Sequence, residues 1–236
     1  MKAGALVVAL VLLAGGAHAA KYDRAVAVKK VPPKPADDTV GEITCTFYKD
    51  MMVRESGTDT PDPNDATVVR GRLPSCDNTH RADDVELKTE GFSLLGRKGP
   101  YLFFAATDPN GAVPFKVIDI SGRVIFEDGT PIDLGIANIE LAGGTLHMHY
   151  RRAFNASCSI MQDAAGCWAK LIAEGSIPRD ISIAAPSSQA CKASYQAEKA
   201  PPDDTSIVSY DVDVRIDQQG RADVRPHGAV GCAPLP

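Results

Sequence analysis

Apolar positions recur along this chain mostly with a period of two. Val208, Tyr210, Val212, Val214 and Ile216 alternate with Ser209, Asp211, Asp213 and Arg215, the pattern of a strand with one wet face. Val85, Leu87 and Thr89 alternate with Glu86, Lys88 and Glu90; past Gly91 the apolar positions become Phe92 and Leu94. A glycine at that phase flip marks a β-bulge or a break between two strands. Tyr101–Ala106 is a continuous apolar run, read as a buried strand. The turn Asp108-Pro109-Asn110-Gly111 sends it back through Phe115–Ile120, and Ser121-Gly122 leads on to Arg123–Phe126. Ile136–Leu141 and Thr145–Tyr150, joined by Ala142-Gly143-Gly144, form a third hairpin. Shorter strands are expected at Ile43–Phe47, Met51–Arg54, Thr67–Arg70 and Ala222–Arg225.

Two stretches change period. Ala164, Trp168, Leu171 and Ile172 share a helical face over Asp163–Glu174, with Asp163 able to cap the start, Gly175 to end it and Pro178 to forbid continuation. Ser187–Lys199 reads as a weaker helix stopped by Pro201-Pro202. The resulting fold class is mainly β: an antiparallel β-sandwich or irregular barrel built from hairpins, with one or two short helices. Two similar turns, Asp62-Pro63-Asn64-Asp65 and Asp108-Pro109-Asn110-Gly111, keep a small propeller-like arrangement as the alternative.

The start of the chain follows different rules. Lys2, the apolar run Ala5–Ala14 and the small residues up to Ala20 are the parts of a secretory signal peptide. The run is shorter than the roughly 20 apolar residues that cross a bilayer. Residues 21–42, with Lys29-Lys30-Val31-Pro32-Pro33-Lys34-Pro35, read as an extended, solvated Pro/Lys-rich tail. Residues 43–236 read as one domain. The expected location is exported, periplasmic or secreted, and the alanine-rich leader has a bacterial style.

Export gives the cysteines their meaning. Cys45, Cys76, Cys158, Cys167, Cys191 and Cys232 all follow the leader, and an even count in an oxidising compartment favours three disulfides. Sequential pairing is expected because neighbours are easiest to bring together. No C-x-x-C is present, so neither a thioredoxin-like motif nor a zinc ribbon is indicated. The formal net charge is −5, and the leader removes one lysine and no acid. A mildly acidic chain argues against nucleic-acid binding, which needs a basic surface.

Candidate chemistry is sparse. His147 and His149 lie two apart on a strand, so they share a face and could share a zinc or copper ion with a third ligand from His80, His227 or an Asp. Asp211 and Asp213 form a second same-face pair, roughly 7 Å apart on a strand, within the range of glycosidase carboxylates. Asp59, Asp62, Asn64 and Asp65 could supply oxygens to calcium, without EF-hand spacing. Each has a plain reading as well: solvent-facing histidines, a solvated strand face and ordinary turn residues. Arg151-Arg152 reads as a solvated rim or anion contact, and Trp168 as core rather than sugar platform. Asn155-Ala156-Ser157 fits a glycosylation acceptor only in a eukaryotic pathway. The stretch Gly91–Lys98 misses the phosphate-loop pattern at Arg97 and Lys98.

These readings lead to a non-enzymatic binding or cell-envelope-associated module, with an envelope component or polysaccharide as partner and no cofactor. The alternative is a hydrolase of polysaccharide or peptide, possibly metal-dependent through calcium or zinc. A further alternative is a secreted inhibitor presenting the segment 158–167. His and Asp side chains clustered in one cleft would favour the hydrolase; a flat surface without convergent acids would favour the binder. The chain purified from its own compartment is expected to begin at Ala20 or Lys21. Intact mass measurement checks this: a mass that includes residues 1–19 refutes cleavage.

Overall fold

In the computed structural model, residues 21–32, 41–56, 66–71, 74–77, 79–107 and 109–235 are described. The expected leader and the Asp59/Asp62/Asp65 loop lie outside these residues. The described chain is mainly β, in three antiparallel sheets with two short helices. Sheet I contains β1 (Ala27–Val31), β2 (Ile43–Phe47), β3 (Met51–Ser56), β4 (Ala66–Arg70) and β5 (Val85–Leu87). Sheet II contains β6 (Phe92–Lys98), β7 (Tyr101–Ala106), β8 (Val113–Asp119) and β9 (Val124–Thr130). Sheet III contains β10 (Ile136–Ala142), β11 (Thr145–Asn155), β12 (Ser206–Ile216) and β13 (Ala222–Pro234). Strands neighbour in chain order within each sheet, so every pairing is a hairpin or a longer antiparallel return.

The continuous apolar run of β7 is explained by burial on both faces. Leu102 and Phe104 pack with Met51, Val53, Val68 and Leu87 of sheet I. Tyr101, Phe103 and Ala105 pack into a larger core with sheet III and the helices. Sheet II is therefore the middle layer. No core cluster joins sheet I to sheet III among the described residues. The sheets are layered rather than closed, which replaces the irregular-barrel and propeller-like alternatives.

The phase flip at Gly91 is the boundary between sheets I and II. Glu90 (φ 54°) and Gly91 (φ 83°) both take left-handed backbone there, a conformation that a non-glycine residue adopts only when its surroundings enforce it. Lys116 on β8 supplies such a restraint: its ammonium, almost wholly buried, is hydrogen-bonded to Glu90 and lies 3.2 Å from Glu127.

Part of the expected tail has structure of its own. Ala27–Val31 pairs with β2 from Ala27↔Phe47 to Val31↔Ile43, and the Tyr22 ring packs tilted against Phe103 with centroids 5.5 Å apart. An edge strand needs only backbone hydrogen bonds, so its lysines can point into solvent while the chain is fixed.

α1 (Ala164–Ala173) starts at Asp163, whose side chain accepts a hydrogen bond from Gly166 N, and it buries Cys167, Trp168 and Leu171. Trp168 is thus a core residue. α2 (Ser188–Glu198) buries Cys191 and Tyr195. The disulfides are Cys45–Cys76, Cys158–Cys167 and Cys191–Cys232. They tie β2 to the β4–β5 connection, α1 to the end of β11, and α2 to β13. The segment 158–167 does not stand out as an exposed loop: Ile160 is fully buried, and Ser159 Oγ donates to Pro202 O at 2.6 Å. Asn155 is held at both ends of its amide, accepting from Ala112 N and donating to Asn110 O, each at 2.9 Å.

Cutting one staple has a calculable effect. Cys167→Ser opens a loop of sequence separation 9 and is expected to lower stability by roughly 2–4 kcal/mol. Denaturant unfolding of the oxidised variant checks this; an unchanged midpoint contradicts the contribution assigned to the bridge.

Candidate functional site

Sheet III has two faces of opposite character, and strand alternation decides which residue joins which. Leu146, Met148 and Tyr150 of β11, with Val208, Tyr210, Val212, Val214 and Ile216 of β12, point into the core. His147, His149 and Arg151 take the outer face, opposite Arg215, Asp213 and Asp211 respectively. On β13, Asp223, Arg225 and His227 stand beside Arg215, Asp213 and Asp211. On β10, Glu140 and Asn138 stand beside His147 and His149. The result is a grid of polar rows: Glu140–His147–Arg215–Asp223, Asn138–His149–Asp213–Arg225 and Arg151–Asp211–His227.

A bulge sets the third row. Between the pairs Ser209↔Gly231 and Asp211↔His227, β12 inserts Tyr210 alone, whereas β13 inserts Gly228, Ala229 and Val230. Gly228 adopts φ +73°, a left-handed backbone that favours glycine at this bulge. It keeps His227 on the outer face while Val230 and Cys232 return to the core.

The charges then sort by competition. Arg151 takes Asp211, with Nη1 at 3.3 and 3.4 Å from the two carboxylate oxygens, and its Nε donates to Ser209 Oγ at 3.0 Å. His227, beside an Asp211 that already has a partner, reaches diagonally to Asp213, within range of cross-strand neighbours. His227 Nε2 lies 3.4 Å from Asp213 Oδ2, and His149 Nδ1 lies 3.0 Å from Asp213 Oδ1. The two imidazoles stack at 5.5 Å with planes 15° apart. One ligand atom each from His149, Asp213 and His227 lies within 4.8 Å of the others. A cleft of about 330 Å³ runs beside them, lined by Asn138, His147, His149, Asp213, Arg215 and Arg225.

The sequence candidates therefore separate. His149 and His227 join Asp213. His147 lines the same cleft one row away and is not part of the trio. His80 lies elsewhere, 3.4 Å from Arg54 Nη2. Asp211 and Asp213 share the outer face, each engaged with different partners.

A second polar cluster gives no sign in the sequence. Arg152 follows Arg151 and so turns inward, where a solvated rim was expected. Its Nε lies 2.9 Å from Asp128 Oδ1 on β9, and its Nη1 donates to the Tyr210 hydroxyl at 3.3 Å. The Tyr150 hydroxyl also donates to Asp128, and Gly129 N donates to Asp128 Oδ1 at 2.9 Å. Burial pushes the Asp128 carboxyl above its usual range, against the opposing pull of Arg152 and of the Tyr150 hydroxyl. Burial, reinforced by the Asp128 charge, raises Tyr150 far enough that it remains a proton donor. This cluster bridges sheets II and III at a point of close approach: a Cβ on Gly129 would lie 2.5 Å from Ala153 O. With every member engaged by another, its role is to clamp the layers.

Compared with known proteins, the chain matches no family model, no curated protein and no solved structure.

The two polar clusters differ in what they contribute to stability. Arg152→Ala leaves the buried Asp128 without its cation and is expected to cost roughly 3 kcal/mol, the low end for a buried pair because Arg152 keeps some exposure. Arg225→Ala on the outer face is expected to cost under about 1 kcal/mol. Urea unfolding of both variants checks the contrast, and equal losses would refute the clamp.

Proposed function

We propose that this protein is an exported, disulfide-stapled binding module whose ligand face is the outer surface of β11–β13, and that its ligand is a polysaccharide of the cell envelope. One observation carries the reading: the polar grid of sheet III is exposed or half-exposed, and every row of it carries both donors and acceptors. Arg151, Arg215, Arg225 and His147 offer donors; Asp211, Asp213, Asp223 and Glu140 offer acceptors. A glycan hydroxyl both donates and accepts, so a chain dense in hydroxyls can meet such a grid along its length. The carboxylates expected to act as an acid pair are instead engaged, Asp211 with Arg151 and Asp213 with two histidines. That supports binding over glycoside hydrolysis. The leader-like start and the three disulfides support export.

The convergence of His149, Asp213 and His227 beside a cleft favours a second reading, a metal-dependent hydrolase.

The test uses the mature protein on an array of envelope polysaccharides, followed by calorimetry on the best binder. Binding is expected, weakened at least about fivefold in Arg215→Ala/Arg225→Ala, with no release of reducing ends. Binding that ignores this double substitution, or no binding at all, refutes the assignment. Release of reducing ends upon zinc addition selects the hydrolase.

A further inference from the structure

We infer that His149, Asp213 and His227 form a binding site for one divalent transition-metal ion, of which zinc is the best suited. This inference stands independently of any glycan on the same face.

The donor set is two imidazoles and one carboxylate. That borderline nitrogen and oxygen combination suits zinc, copper(II) or nickel(II) rather than calcium, which takes six to eight oxygens. The spacing also fits. Ligand atoms at about 2.1 Å from a tetrahedral zinc lie about 3.4 Å from one another. His149 Nδ1 lies 3.0 Å from Asp213 Oδ1 and His227 Nε2 lies 3.4 Å from Asp213 Oδ2, so each imidazole already stands at that spacing from one oxygen of the carboxylate. One ligand atom from each of the three residues lies within 4.8 Å of the others, and the set closes onto one ion by rotating the imidazoles and the carboxylate about their broad terminal torsions. Both rings keep close to half of their side-chain exposure, so that rotation meets little packing.

A separate observation points at the same spot. His227 Nε2 is shielded from solvent yet makes no hydrogen bond, although Asp213 Oδ2 is only 3.4 Å away. A shielded ring nitrogen without a hydrogen bond is uncommon. A metal ion shared with Asp213 and His149 would give it a partner. Three protein ligands leave a further coordination position open, the arrangement of an accessible rather than a closed structural site.

The sheet supplies rigidity. His149 and Asp213 are directly paired across β11 and β12, while the bulge at Gly228–Val230 fixes where His227 enters. Arg151 matters too, because it occupies Asp211 and leaves Asp213 to the imidazoles.

Zinc chloride titrated calorimetrically into the mature protein at pH 7.5, without glycan, tests the site. One ion per chain is expected. His149→Ala and His227→Ala should each weaken binding at least about tenfold, since each removes one of three ligands. His80→Ala should change it less than about twofold. Proton–nitrogen spectra of the intact protein give a reading that needs no variant: zinc should shift the ring resonances of His149 and His227 and leave those of His80 in place. Absence of saturable zinc binding overturns the inference. So does binding that survives both histidine substitutions, or shifts confined to other histidines. If zinc fails while glycan binding persists, only the metal site falls; if zinc binds and no glycan does, only the glycan assignment falls.

Discussion

Phe103 and Phe104 are adjacent and both fully buried, yet they belong to different cores. The other layers depend on that constraint. A strand can bury consecutive side chains only if both faces of its sheet are covered. Covering β7 requires sheet I on one side and sheet III with its helices on the other. Burial of Leu102, Phe103 and Phe104 is worth about 1.5–3 kcal/mol each, so leaving either face of β7 open would forfeit a large part of the protein's marginal stability. The middle sheet thus dictates a layered architecture rather than a closed one.

Layering leaves the far side of sheet III free. Its inner face is committed to the core, while the residues of its outer face stay exposed or half-exposed and so can be polar. Arg151 and Arg152 show how sharply the pleat divides these roles. One forms part of the outer grid through Asp211; the other turns inward and anchors β9 through Asp128. The inward cluster holds sheets II and III together.

Much of the fold was legible because burial writes itself into side-chain periodicity. The hairpins through 101–150, the capped helix at Asp163 and the alternating strand at Val208–Ile216 all carry local signals. The Cys45–Cys76, Cys158–Cys167 and Cys191–Cys232 pairs follow the simplest order. β13 was only half visible, since Pro226, Gly228 and Gly231 break the apolar rhythm that its backbone pairing continues. β1 was hidden because an edge strand needs no apolar pattern. Arg152 was misjudged because a charged residue beside another charged residue reads as surface; only the pairing with Asp128, distant in sequence, makes an inward arginine tolerable.

The candidate site divides along the same line. The sequence by itself placed His147 and His149 on one face, and Asp211 and Asp213 on another, since period-two geometry is local. It also marked His227 and an aspartate as eligible partners for the histidines. Which of them meet is a matter of register between strands some sixty residues apart, and register is fixed by packing across the whole sheet. Tertiary structure decided that His149 faces Asp213, that Arg151 claims Asp211, and that a glycine-bearing bulge delivers His227 to the same carboxylate. Side-chain alternation is set residue by residue, whereas convergence requires the long-range pairing of β11, β12 and β13.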